Sequence, residues 1–221
     1  MLSSHTKNII RGLEEGLIHY SKSLDEIRNY FTEFEQLELR LAEGNEENLK
    51  AFKIQLDFSG FLTISMTDLI IICKGTLQTN QKWEQLHYLK LGYLTVHEVI
   101  NTYAKHSQQL KQSSANNEEL KNQFASITNE IKIFKRDYDY PKSFTKVRNF
   151  TIGHIDTDFK SYFDILNGMD VEKSFSALLD FMQVLGKLNG LAAALSLTLK
   201  LRVNGIEYDI MQIRNIIDSS G

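Results

Sequence analysis

The chain has 221 residues, 42% of them hydrophobic, enough to bury a sizeable core as one domain. Its formal charge of −3 argues against a protein that coats nucleic acid or anionic membrane by bulk electrostatics. Cys73 is the sole cysteine, which excludes an internal disulfide and a thiolate metal cluster, and a single proline leaves room for long uninterrupted helices.

The first residues, Met-Leu-Ser-Ser-His-Thr-Lys, lack the basic-then-apolar layout of a signal peptide. Leu24, Ile27, Phe31, Phe34, Leu37 and Leu41 then recur at steps of three and four, one apolar face of a helix, with Ser23 and Glu26 spaced as a capping box at its start. Residues 47–77 read as a second helix, apolar on most sides and so buried. Its most apolar stretch, Phe58 to Cys73, is broken by Ser59, Gly60, Ser65 and Asp68 and is too short to span a bilayer, so no membrane partner and a cytoplasmic location are expected. Within that stretch Cys73 reads as an inert core thiol. Trp83, Leu86, Leu89, Tyr93, Val96, Ile100 and Tyr103 mark a third helix.

After an exposed loop at 113–117, Leu120, Phe124, Ile127, Ile131 and Phe134 mark a fourth helix, which the run Asp137-Tyr-Asp-Tyr-Pro141 should stop. A short helix from about Ser143 to Ile152 follows, ended by Gly153 in a left-handed cap, with Asp156 or Thr157 capping the next segment through Leu166. Asp170 opens a last long helix with the face Val171, Phe175, Leu178, Met182 and Leu185, expected to reach about Arg202. Asn204-Gly205 lies between two alternating runs, 199–203 and 206–210, so a short C-terminal β-hairpin is the alternative. The expectation is a single all-α domain, an elongated multi-helix bundle over 47–202 with an N-terminal helical extension (1–46) and a tail (203–221).

Chemistry concentrates in Lys146-Val-Arg-Asn-Phe-Thr-Ile-Gly-His-Ile-Asp156. RNA cleavage without a metal needs a base for the 2′-hydroxyl proton, an acid for the leaving oxygen, and positive charge on the phosphate. His154 suits the proton transfers, Arg148 offers donors in a fixed fork for the phosphate, and Asn149 could orient the phosphate or the imidazole. One histidine cannot be free base and protonated acid at once, so a two-fold dimer supplying two copies would complete the chemistry. At about 100° per residue, continuous helix would place Arg148 and His154 about 120° apart. They converge only if the helix ends near Gly153, or across a dimer.

The segment Arg148-Asn149-Phe-Thr-Ile-Gly-His154 resembles the motif of HEPN domains (higher eukaryotes and prokaryotes nucleotide-binding), an arginine, a polar residue, then a histidine. The resemblance implies an all-α fold and a homodimer formed through the motif-bearing helices. It further implies a metal-independent ribonuclease of toxin–antitoxin or defence type, with an antitoxin or other protein partner. In that reading Arg148 and His154 are catalytic and Asn149 is the accessory polar residue. In one subgroup a tyrosine two residues after the histidine is modified by a partner enzyme; Asp156 stands there instead.

A basic strip lies just upstream. From Lys132 to Arg148 six basic residues face two acidic ones, a local charge of +4, leaving −7 for the rest of the chain. Lys135, Arg136, Lys142 and Lys146, with Tyr138 and Tyr140 among them, form the expected contact for single-stranded RNA through phosphate neutralisation and base stacking. The competing reading is structural: Arg148 pairs with Asp156 or Asp158, Asn149 finishes a helix, and His154 fills a turn.

Metal sites fail on count. Glu84-Gln-Leu-His87 is half of a di-iron motif without its second half, and after His97-Glu98 a zinc-protease helix would need histidine where Asn101 stands. His87, His97 and His106 do not share a helical face and are expected on the flanks or surface. No metal or cofactor is expected.

Overall fold

The computed structural model describes residues 3–40, 46–152 and 159–203. Among them are seven α-helices and no strand: α1 (Ser4–Arg40), α2 (Glu46–Gln78), α3 (Lys82–Ser114), α4 (Glu118–Asp137), α5 (Lys146–Ile152), α6 (Phe159–Asn167) and α7 (Val171–Val203). A π-helical turn, Pro141–Thr145, precedes α5. The all-α bundle read from the periodicities is the observed architecture. Leu199–Val203, the first arm of the alternative hairpin, is helical; 204–221 lie outside the described residues.

Helix starts follow the chemistry of capping. Ser3 Oγ accepts from the Thr6 amide at 3.1 Å, Asn117 Oδ1 from the amides of Glu119 and Leu120, and Asp170 Oδ1 from that of Lys173 at 3.0 Å. The capping box expected at Ser23 does not form. Ser23 lies inside α1, where its hydroxyl donates to the His19 carbonyl one turn back. The apolar positions upstream, Ile9, Leu13 and Leu17, pack on the core and carry the helix to the N-terminus.

α2 is the spine. The pairings Glu14–Lys74, Gly16–Ile70, Gly60–Ile27 and Phe34–Phe52 run α1 antiparallel along it. Cys73–Met182, Thr63–Asn189 and Ser59–Ser196 set α7 antiparallel on another side, and Gly75–Tyr88 and Phe58–His106 do the same for α3. Burial on several sides explains why α2 lacks a polar face. Its few polar groups inside are satisfied: Gln55 Nε2 donates to the Ala192 carbonyl at 3.2 Å, and Ser59 and Ser196 pair at 3.1 Å. Cys73 is fully buried and its thiol is pushed up to about 12 by desolvation, so the reading as an inert core thiol agrees with its surroundings.

The apolar run judged too short for a bilayer belongs to a longer element. By length and composition both α2 and α7 could cross a membrane, with 67% and 50% of their most apolar windows buried against the bundle. That burial is what core helices show.

Candidate functional site

α4 ends where tyrosine and proline were expected to stop it, but the exit is not an open loop. Asp139 takes a left-handed backbone (φ 44°) and its carbonyl accepts from the amides of Lys142 and Ser143. The Thr145 amide then reaches the Tyr140 carbonyl at 3.2 Å, closing a π turn over the region expected to begin an α-helix at Ser143. Left-handed non-glycine residues and π turns are both costly local conformations that tertiary packing must hold.

The packing here is aromatic. Phe144 is fully buried and stacks on Tyr93 at 3.9 Å between ring centroids, with Tyr140 at 5.6 Å and Phe134 at 5.5 Å. Tyr140 continues the column to His97 on α3, their planes 4° apart and the Tyr140 hydroxyl 2.9 Å from Nδ1. Pro141 fits at the first position of the turn, where a missing N–H costs nothing. The turn delivers the chain into α5.

On α5, Arg148 and Asn149 are both exposed and adjacent. The Arg148 guanidinium lies 3.9 Å from a Glu98 carboxylate oxygen, and its Nη1 donates to Asn149 Oδ1 at 3.4 Å. Arg148 and Glu98 are about half exposed, so the pair orients the guanidinium more than it stabilises the fold. His97 is 8% exposed. Burial lowers its pKa below the ordinary 6.5, Glu98 opposes the shift, and the Arg148 and Lys135 charges add to it. Gly153, His154, Asp156 and Asp158 lie outside the described residues.

The basic strip divides. Arg136 pairs with Asp137 at 2.8 Å and Lys142 with Asp139 at 3.3 Å, so two expected phosphate contacts already face carboxylates. Lys146 is exposed, while Lys135 is half-buried with its ammonium 5.2 Å from the centre of the Tyr140 ring. The expectation that Tyr138 and Tyr140 are open rings needs correction. Tyr140 is 8% exposed, with Phe144 and Lys135 against its ring and His97 at its hydroxyl, and Tyr138 packs on Phe134 while its hydroxyl donates to Asp180. Tyr140 is thus closed to a base, and Tyr138 is half-buried.

Two residues that the sequence reading set aside belong to this site: His97, expected on a flank but buried, and Glu98. The signal was present in the spacing. His97 follows Tyr93 by four residues and precedes Ile100 by three, so it falls on the core side of α3. No group of three histidine, cysteine, aspartate or glutamate side chains among the described residues is arranged to hold a metal ion. No family model, curated protein or solved structure matches the chain.

Proposed function

We propose that the protein is a HEPN-like, metal-independent endoribonuclease of toxin or defence type, cytoplasmic, with the Arg148–Asn149–His154 segment as its active site. One observation carries most weight: an arginine–asparagine pair is exposed side by side on a short helix, with the guanidinium beside Glu98 and an exposed Lys146 two residues upstream. In this reading Arg148 holds the phosphate and stabilises the charge that builds on its oxygens, and Asn149 fixes the guanidinium or the phosphate. His154 moves the protons.

The reading also calls for a second copy of the chain. Trp83, Phe159 and Phe163 form an exposed aromatic patch at the start of α3 and on α6, with Phe159 71% exposed and ring centroids 5.2 and 5.9 Å apart. A contiguous exposed apolar patch suits an isologous contact. The same patch favours a second reading, a non-catalytic helical module that binds a protein.

Incubation of the purified protein with RNA in excess chelator separates the two. Cleavage leaving a 2′,3′-cyclic phosphate, lowered about 10²–10⁴-fold in His154→Ala with the thermal midpoint unchanged, is the expected result. Undiminished cleavage by that variant would remove His154 from the mechanism. Stable RNA or protein binding without cutting would favour the module.

A further inference from the structure

α1 and α7 both lie along α2, and between them they leave a groove of about 410 Å³, within the size range of small-molecule sites. The two walls approach each other at its ends. At one end the Tyr20 hydroxyl lies 3.8 Å from where a Cβ on Gly186 would stand. At the other, Lys200 of α7 pairs with Glu33 of α1 at 2.5 Å and sets its ammonium 4.5 Å from the centre of the Tyr30 ring. Between these contacts α7 presents Gly190, Ala193 and Ala194, and a Cβ on Gly190 would meet nothing within 4 Å. From Gly186 to Leu197 this wall runs about 16 Å at the α-helical rise.

The floor carries hydroxyls that are already committed. Ser59 and Ser196 pair at 3.1 Å, Ser196 also donates to the Ala192 carbonyl at 2.9 Å, and Thr63 donates to the Ser59 carbonyl at 2.9 Å. No buried polar side-chain atom among the described residues lacks a partner. An apolar body can therefore cover this floor, with Leu56 and Ile27 beside it, without orphaning a donor. Charge then narrows the occupant. Among the described residues the lining holds one carboxylate, Glu26, one imidazole, His19, and no lysine or arginine. Glu26 is exposed and stands on α1 between the Tyr20 and Tyr30 ends.

We propose that this groove binds an amphipathic organic amine, an aliphatic body ending in one protonated nitrogen. The body lies along α7 over Gly190 and Ala193, where its apolar surface leaves water. The ammonium reaches the Glu26 carboxylate at the rim in a charge-assisted hydrogen bond. An anionic headgroup would meet Glu26 with no lysine or arginine of the lining to offset it, so anionic amphiphiles are disfavoured. The groove shares no residue with the Arg148 segment, and the proposal stands whether or not the protein cuts RNA.

Isothermal titration with octylamine, octanol and octanoate tests this chemistry, because the three share one chain length and differ in headgroup. Octylamine should bind tightest, octanol about fivefold weaker, the scale of a partly exposed ion pair, and octanoate weakest. Glu26→Gln should cost octylamine about fivefold and leave octanol unchanged. Gly190→Leu places a side chain in the groove and should weaken octylamine binding by about tenfold or more through lost apolar contact. Its thermal midpoint should not fall, because the position is open and leucine favours a helix over glycine. Ala193→Leu, on the same wall, repeats the block should Gly190→Leu fail to fold. No octylamine binding by the wild type, octanoate binding as tight as that of octylamine, or full affinity in a folded groove-filled variant would overturn the proposal.

Discussion

α2, α3 and α7 each run for 33 residues and leave Leu62, Leu69, Leu89 and Leu185 with no exposed surface, whereas between Asp137 and Asn167 no described helix exceeds nine residues. The long helices hold their shape through repeated apolar contacts, each replaceable in part by its neighbours. The short region has no such redundancy. Its course depends on one left-handed residue, one π turn and a column of four rings, and it carries the candidate chemistry. A rigid frame with a locally strained insert is a physical way to hold a few side chains in a geometry that propensity alone would not choose.

The sharpest way to break this comparison is to remove the ring on which the insert rests. Phe144→Ala should cost about 3–5 kcal/mol in denaturant unfolding, as expected for a fully buried aromatic. A loss below 1 kcal/mol would mean that the turn stands without its aromatic support. The frame is probed by Gly92, where an added Cβ would lie 2.4 Å from a Leu178 methyl in the sealed core. Gly92→Ala should destabilise by about 1–3 kcal/mol from overpacking, less about 1 kcal/mol regained from helix propensity. Gly190 has open space at the same position, so Gly190→Ala should instead stabilise by up to about 1 kcal/mol.

Acid should affect the molecule through two imidazoles on α3, the buried His97 and the half-buried His106. His97 and His106 both titrate below the ordinary 6.5, chiefly because burial disfavours the charged ring. Unfolded chains therefore take up protons at a higher pH than the folded protein does. The stability these groups contribute is complete above about pH 6.5 and declines as the pH falls through that value toward their folded pKa values. His97→Gln should flatten the decline measured by thermal unfolding at several pH values; an unchanged slope would show that the ring is not held neutral. The smallest stability effect belongs to Glu98→Gln. An ion pair this exposed is worth about 0–1 kcal/mol, so the thermal midpoint should barely move while RNA cleavage slows through misplacement of Arg148.

Legibility divides along the same line. The frame could be read because three- and four-residue spacing survives over thirty residues in α2, α3 and α7, and because Asn117 and Asp170 cap by local chemistry. Ser23 misled because a serine hydroxyl can cap a helix or bond back within one, and only continuous packing upstream decides between them. In the insert, Tyr140 beside Pro141 looked like an open loop. Nothing local signals that Asp139 turns left-handed and feeds the ring into the core. Arg148 and Asn149 stood out because their chemistry is unusual at that spacing. The Glu98–Arg148 contact was not legible, because it comes from α5 lying across α3, fifty residues away in the chain.

The most direct measurement is cleavage of RNA under chelation by the wild type and by Arg148→Ala, both shown folded by thermal unfolding. Cyclic-phosphate products are expected from the wild type and a rate about 10²–10³-fold lower from the variant, the loss that follows when a donor to a developing phosphate charge is removed. Equal rates from the two proteins, or intact RNA with both, would contradict the ribonuclease reading.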